Sequence, residues 1–90
     1  MLRPSYTSQF ERDRKRLGKQ KKDLTKLRQV MEDLIAERPL SPQLKDHPLV
    51  GNWKGYRECH IGPDWLLIYK RTETEIVFVR TGDHSELFKR

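Results

Sequence analysis

The segment Lys45–Lys70, KDHPLVGNWKGYRECHIGPDWLLIYK, carries the architecture of the whole chain. It opens as a proline-flanked loop and passes into a strand at Gly55–Ile61. There Tyr56, Glu58 and His60 alternate with Arg57, Cys59 and Ile61, the period of a sheet with two unlike faces. Gly62-Pro63-Asp64 is a tight turn, and the chain returns as a second strand at Trp65–Lys70. Trp65-Leu66-Leu67-Ile68-Tyr69 is apolar on both faces, as a central strand must be. The same segment contains His47 and His60, two of the three histidines, together with both tryptophans and the only cysteine, Cys59.

Towards the carboxyl end, Thr72–Thr74 forms a turn and Glu75–Thr81 a further strand. Gly82 and Asp83 break the pattern. Asp83-His84-Ser85-Glu86 has the spacing of a helix cap, so His84 opens a short terminal turn with Leu87 and Phe88. Towards the amino end, Leu2–Thr7 reads as a strand with Leu2 and Tyr6 on one face, and Pro4 places it at an edge. Ser8 and Glu11 have capping-box spacing before a helix from Gln9 to Leu17, which buries Phe10 and Leu17 and stops at Gly18. Asp23 caps a second helix with an apolar stripe of Leu24, Leu27, Met31, Leu34 and Ile35, ended by Pro39. Pro39–Asn52 is a long connection without periodicity; connections of such length are functional or disordered. Leu44, Leu49 and Trp53 argue that it packs down. The order β-α-α-β-β-β predicts a single α+β domain over residues 1–90. Two helices cover one face of a mainly antiparallel four-stranded sheet, and the other face stays open.

Ninety residues suffice for one modest core. Charged residues make up 36% and hydrophobic ones 34%, but the apolar residues fall in periodic blocks, which argues against disorder. Nineteen Lys and Arg against thirteen Asp and Glu give a net charge of +6. This balance favours a polyanionic partner, nucleic acid before membrane. The outer helix faces carry Arg12, Arg14, Lys15, Arg16, Lys19, Lys21, Lys22, Lys26 and Arg28, either a solvated surface or one that lies along a polyanion. A lone cysteine forms no internal disulfide and excludes a tetrathiolate zinc site. No apolar run approaches the roughly 20 residues of a membrane span, and MLRPSYTSQF has no signal-peptide core. A cytoplasmic protein without a membrane role is expected.

The polar groups then decide the chemistry. His60 ends one strand and Asp64 begins the next, while Arg80 ends the last strand and His84 follows it. Antiparallel neighbours bring these ends together, and His47 joins them if its loop folds over. Imidazoles, a carboxylate and an arginine beside a basic surface suit RNA cleavage. The ribose 2′-hydroxyl loses a proton as it attacks phosphorus and the leaving 5′-oxygen gains one, steps that histidine serves near neutrality. Arginine stabilises the charge on the phosphoryl oxygens. Each residue also has an ordinary structural reading: Asp64 as a turn former, Arg80 as a surface residue, Trp53 and Trp65 as core.

The elements DHPL, W-K-G-Y-R, H-x-x-P-D-W and R-T-G-x-H-x-x-L-F, in this order, resemble the YafQ branch of the RelE/ParE toxin superfamily. The resemblance covers nearly the whole chain, the helical half by pattern more than by residue. It implies a RelE-like fold and a bacterial type II toxin: a ribosome-dependent endoribonuclease that cleaves messenger RNA in the A site; the imidazoles and arginine, in place of a carboxylate cluster, predict that it does so without metal or cofactor. It implies a cognate antitoxin too, a small acidic protein with a DNA-binding amino half. Family functional residues fall on His47, His60, Asp64, Trp65, Arg80, His84 and Phe88. The resemblance implies that His84 is a principal proton-transfer group and that His60 and Asp64 form the other half of the acid–base apparatus. His47 then positions or protonates the scissile phosphate and Arg80 holds it. Trp65 and Phe88 support the site or contact bases, with Lys54 and Glu58 as further substrate-binding candidates.

Three other functions compete. A gyrase-poisoning relative acts by binding and does not need the histidines. A zinc hydrolase would use His47, His60 and His84 with Asp64, but none of these forms a short ligand pair. A plain RNA-binding module would act through the basic helices and survive loss of all three histidines.

Overall fold

The computed structural model describes residues 1–88. The elements run β1 (Arg3–Tyr6), α1 (Ser8–Lys19), α2 (Thr25–Ile35), β2 (His47–Pro48), β3 (Arg57–Gly62), β4 (Trp65–Arg71), β5 (Glu75–Gly82) and α3 (His84–Leu87). Single 3-10 turns occupy Pro42–Leu44 and Gly51–Trp53. The strands form one sheet in the order β1-β5-β4-β3-β2. β1 runs parallel to β5, and the remaining pairs are antiparallel. The α+β class is as expected, but the sheet has five strands and is mixed. The extra strand, β2, lies inside the long connection, where two residues, one of them proline, show no alternation to read. Pro4 sits in an edge strand, where its missing N–H costs no ladder bond on the open side.

Several helix ends differ from expectation by a residue or more. Thr7, not Ser8, caps α1: its Oγ1 accepts the Phe10 N–H at 2.9 Å and donates to Val79 O at 2.8 Å, tying the helix start to β5. The helix continues through Gly18 to Lys19. It stops in a Schellman arrangement, with Lys22 N–H on Leu17 O and Lys21 N–H on Gly18 O, both at 3.1 Å. Lys21, at φ 61°, holds the left-handed position that glycine usually fills. α2 ends the same way at Glu37 (φ 61°), before Pro39 is reached. Asp23 Oδ1 accepts the Thr25 N–H at 2.9 Å, but Leu24, not Asp23, holds the cap position of α2 and makes no side-chain cap bond.

The main core lies between the sheet and the two long helices. Phe10, Leu27, Val30, Met31 and Leu34 meet Cys59, Ile61, Leu67, Tyr69, Ile76 and Phe78. Tyr6, Phe10 and Phe78 pack ring against ring at 5.6–6.1 Å. A second cluster forms on the opposite sheet face, where Leu66, Ile68 and Leu87 are covered by Leu49, Trp53, Tyr56, Val79 and Phe88. That face is therefore not open, because the long connection and α3 close over part of it. β5 serves both layers through a bulge. Ile68 pairs with Arg80 and Tyr69 with Phe78, so Val79 is an added residue. The alternation is reset there, and Ile76, Phe78 and Thr81 all turn towards the helices.

Candidate active site

The register of the sheet assembles the site on the face away from α1 and α2. His47 pairs with Glu58, Glu58 with Ile68, and Ile68 with Arg80, one row across β2, β3, β4 and β5. His60, Leu66 and Gly82 make the adjoining row. His84 follows two residues after Gly82, at the start of α3. Its position is set by a capping box, with the Asp83 side chain accepting the Glu86 N–H and Glu86 accepting the Asp83 N–H. The connection thus folds over as His47 requires, and three imidazoles converge. The ring centroids of His47 and His60 are 6.0 Å apart, and those of His60 and His84 6.5 Å.

Glu58 is buried between the first two. Its Oε2 lies 3.0 Å from His47 Nε2 and 3.5 Å from His60 Nε2. His47 Nδ1 faces Pro48 O at 3.1 Å. Both ring nitrogens of His47 therefore face oxygen atoms.

Asp64 belongs with His84 rather than with His60. Its Oδ1 accepts from His84 Nδ1 at 2.9 Å and from the His84 backbone N–H at 3.3 Å. The hydrogen bond from the His84 ring, then the one from its backbone, hold the Asp64 carboxyl below its usual range, with Lys22 adding a smaller pull. An ionised carboxylate only accepts, so Nδ1 carries the proton in this pair. In the neutral ring Nε2 is left as the basic nitrogen.

Arg80 turns its guanidinium onto Asp13 of α1, with Nε to Oδ2 at 2.7 Å and Nη2 to Oδ1 at 3.1 Å. Asp13 was not singled out from the sequence, although it shares a helical face with Phe10 and Leu17, at spacings of three and four. All three are buried. Trp65 packs against the main core, donates Nε1–H to Thr81 Oγ1 at 2.9 Å, and lies under Lys22. Phe88, partly buried, sits 6.2 Å from His84 and 5.7 Å from Trp53, ring to ring. Lys54 is exposed after the 3-10 turn. No local pattern signals the clamp behind His47, where Asp46 accepts from the buried Tyr69 hydroxyl at 2.8 and 2.9 Å and from Arg57 Nε at 3.2 Å.

His47, Glu58 and His60 place one donor atom each within 4.8 Å of one another. Two imidazoles and a carboxylate suit a zinc or copper ion after slight closure. No other such cluster occurs among the described residues. The same residues thus fit either a cation or a proton-transfer role.

The chain matches the family described as bacterial toxin of type II toxin–antitoxin system, YafQ, over residues 2–89. It is 49% identical over 84 residues to the mRNA interferase toxin YafQ of Escherichia coli (strain K12), covering 92% of this chain and 91% of that one. The structure superposes on the toxin from the E. coli DinJ-YafQ complex with a TM-score of 0.92 at 46% identity, covering 98% and 99%. A metal-bound toxin from Helicobacter pylori superposes with a TM-score of 0.91 at 46% identity, covering 98% and 100%. Matched over nearly its full length in sequence and in fold, the chain belongs to the YafQ family of toxins of bacterial type II toxin–antitoxin systems.

Proposed function

We propose that this chain is a ribosome-dependent mRNA endoribonuclease that cleaves in the A site by 2′-hydroxyl attack and needs no metal. The observation that carries the reading is the row of three imidazoles anchored by Asp64 at one end and Glu58 at the other. His84 Nε2 takes the proton of the attacking 2′-hydroxyl, with Asp64 orienting the ring. His47 delivers a proton to the departing 5′-oxygen. His60, between them, contacts the phosphate and shares Glu58. Arg80 offsets the charge that grows on the phosphoryl oxygens. The products are a 2′,3′-cyclic phosphate and a 5′-hydroxyl, so bonds and protons balance without hydrolytic water. Phe88 stacks on a base beside the cleaved bond, and exposed Lys54 meets the RNA backbone. A cation held by His47, Glu58 and His60 would occupy nitrogens that the proton transfers use. Lewis-acid catalysis there is a competing route, and chelation separates the two.

The partners follow from charge. With +6 overall, the chain is neutralised by a small acidic antitoxin whose amino half binds DNA, and the exposed cations of α1 meet ribosomal RNA. No helix among the described residues is long and apolar enough to cross a membrane, and the site of action is cytoplasmic. Purified toxin added to ribosomes translating a defined message tests the reading. Cleavage within the A-site codon, leaving cyclic phosphate ends and persisting in excess chelator, is expected. Equal cleavage of free RNA removes ribosome dependence, a strict divalent-ion requirement removes the mechanism, and DNA damage without RNA cleavage favours the gyrase-poisoning alternative.

A further inference from the structure

Asp13 is a carboxylate with no exposure, on a helix that contributes no imidazole. Oδ2 accepts from Arg80 Nε at 2.7 Å and from the Thr81 N–H at 3.1 Å. Oδ1 accepts from Arg16 Nη1 at 2.9 Å, Arg80 Nη2 at 3.1 Å and Gln9 Nε2 at 3.4 Å. Five donors on two oxygens exceed the roughly four lone-pair directions available, so the carboxylate is saturated and has no other orientation to adopt. Arg16 is fixed in turn, donating from Nη2 to Thr81 O at 3.3 Å and to Glu86 Oε1 at 3.1 Å. Its Nε, 2.9 Å from Glu86 Oε2, is poorly aligned and adds a Coulombic contact only. Burial by itself would raise the Asp13 carboxyl, but the bonds from Arg80, Arg16 and Thr81 outweigh it and hold the group ionised.

Folding alone does not call for this arrangement. The position lies on the buried stripe of α1 between Phe10 and Leu17, and an apolar residue there would pack without desolvating a charge. Replacing a buried ion pair by apolar groups is often neutral or stabilising. What the carboxylate uniquely supplies is direction. A bidentate grip on Nε and Nη2 fixes the plane of the Arg80 guanidinium, leaving Nη1 as the remaining nitrogen for a substrate oxygen. We propose that Asp13 is a positioning residue, holding Arg80 in the orientation from which it meets the scissile phosphate. This rests on the reading of Arg80 given above.

Three variants test it: Asp13→Asn, Arg80→Ala and the pair together, assayed by single-turnover cleavage of a defined message on ribosomes and normalised to folded protein by circular dichroism. Asp13→Asn keeps the shape but presents an N–H2 to donors. It is expected to lower the cleavage rate per folded molecule about 10²-fold, as a misplaced catalytic group does, with the half-saturating message concentration little changed. The Arg80 Nε–H resonance should shift or broaden. In the Arg80→Ala background, Asp13→Asn should cost nothing further, because the group it positions is gone. If Asp13→Asn does not fold, Asp13→Asn with Arg16→Met removes one of the cations left unpaired and is read against Arg16→Met alone, with the same loss expected. Wild-type cleavage per folded molecule in the Asp13 variants, or losses that multiply in the double variant, would overturn the inference while leaving the role of Arg80 intact. Wild-type cleavage by Arg80→Ala removes that role and the inference with it.

Discussion

Tyr69→Phe tests how His47 is held in place. The Tyr69 ring is 1% exposed and its hydroxyl donates to both carboxylate oxygens of Asp46, the residue before His47. Phenylalanine keeps the ring in the core and removes only the hydroxyl. A hydrogen bond to a charged acceptor is worth about 1.5–3 kcal/mol. Asp46 keeps Arg57 at 3.2 Å and its side chain is 26% exposed, so water replaces part of the loss. The lower end, about 1.5 kcal/mol, applies. In a domain of this size that corresponds to a fall in Tm of about 6–12 °C, measured by far-UV circular dichroism at pH 7. The same substitution changes the alkaline limb. Burial, and next the Asp46 carboxylate, push the Tyr69 phenol above its ordinary value. Its contribution is whole below about pH 10, where the unfolded phenol titrates, and is lost as pH rises through the folded-state value. The wild-type advantage over Tyr69→Phe should therefore shrink above about pH 10. A Tm within 2 °C of wild type at pH 7, roughly a quarter of the expected shift, would show that Leu44 and Leu49 anchor the connection without the clamp.

Four further outcomes are expected. His84→Ala, at a half-exposed position outside both apolar clusters, should lower cleavage about 10²–10⁴-fold with an unchanged Tm; a folded, fully active variant would refute the role given to His84. Lys21→Gly should raise stability by about 0.5–1 kcal/mol in urea unfolding, since it relieves a left-handed lysine; destabilisation would mean that the side chain does something the backbone angle does not reveal. Burial pushes the Cys59 thiol up from 9.0 to about 12, so stability falls as pH rises through that window, Cys59→Ala should flatten the fall, and alkylation at pH 8 should proceed only through unfolding. Neutralising Arg12, Lys15 and Lys19, all exposed on α1, should weaken ribosome pelleting and reduce its salt slope by up to about 3; an unchanged slope would make the face merely solvated.

Most of the sheet was legible because alternation and turn chemistry are local. Tyr56–Ile61, Gly62-Pro63-Asp64 and the doubly apolar run from Trp65 define a hairpin without outside information. The stripes of α1 and α2 are equally local. What escaped depends on partners distant in the chain. β2 exists only because β3 offers it an edge. The parallel pairing of β1 with β5 leaves no mark in the periodicity of either strand. Helix ends escape local signals where Lys21 and Glu37 adopt the angle expected of glycine, so that Gly18 has the look of a stop and is not one. In the site, the residue types were evident and their grouping was not. Asp64 lies four residues from His60 but belongs to His84, because the turn between β3 and β4 meets the start of α3. Asp13, absent from the sequence reading, still had a local sign: an acid on the apolar stripe of α1, flanked by Arg12 and Arg14.

The parallel pairing of β1 with β5 has a kinetic consequence. Its register joins Arg3 to Glu75, whereas β3, β4 and β5 are joined by short turns. Hairpins form within microseconds, but closing a loop of some seventy residues costs about 4 kcal/mol of chain entropy before any contact repays it. The meander from Arg57 to Gly82 should therefore form early and dock on β1 and α1 late. Asp13 reaches Arg80 only in that late step, so a chain with most of its β-structure in place still lacks the ion pair between α1 and β5. Refolding should show β-structure by circular dichroism before cleavage activity returns, and simultaneous recovery would rule this order out.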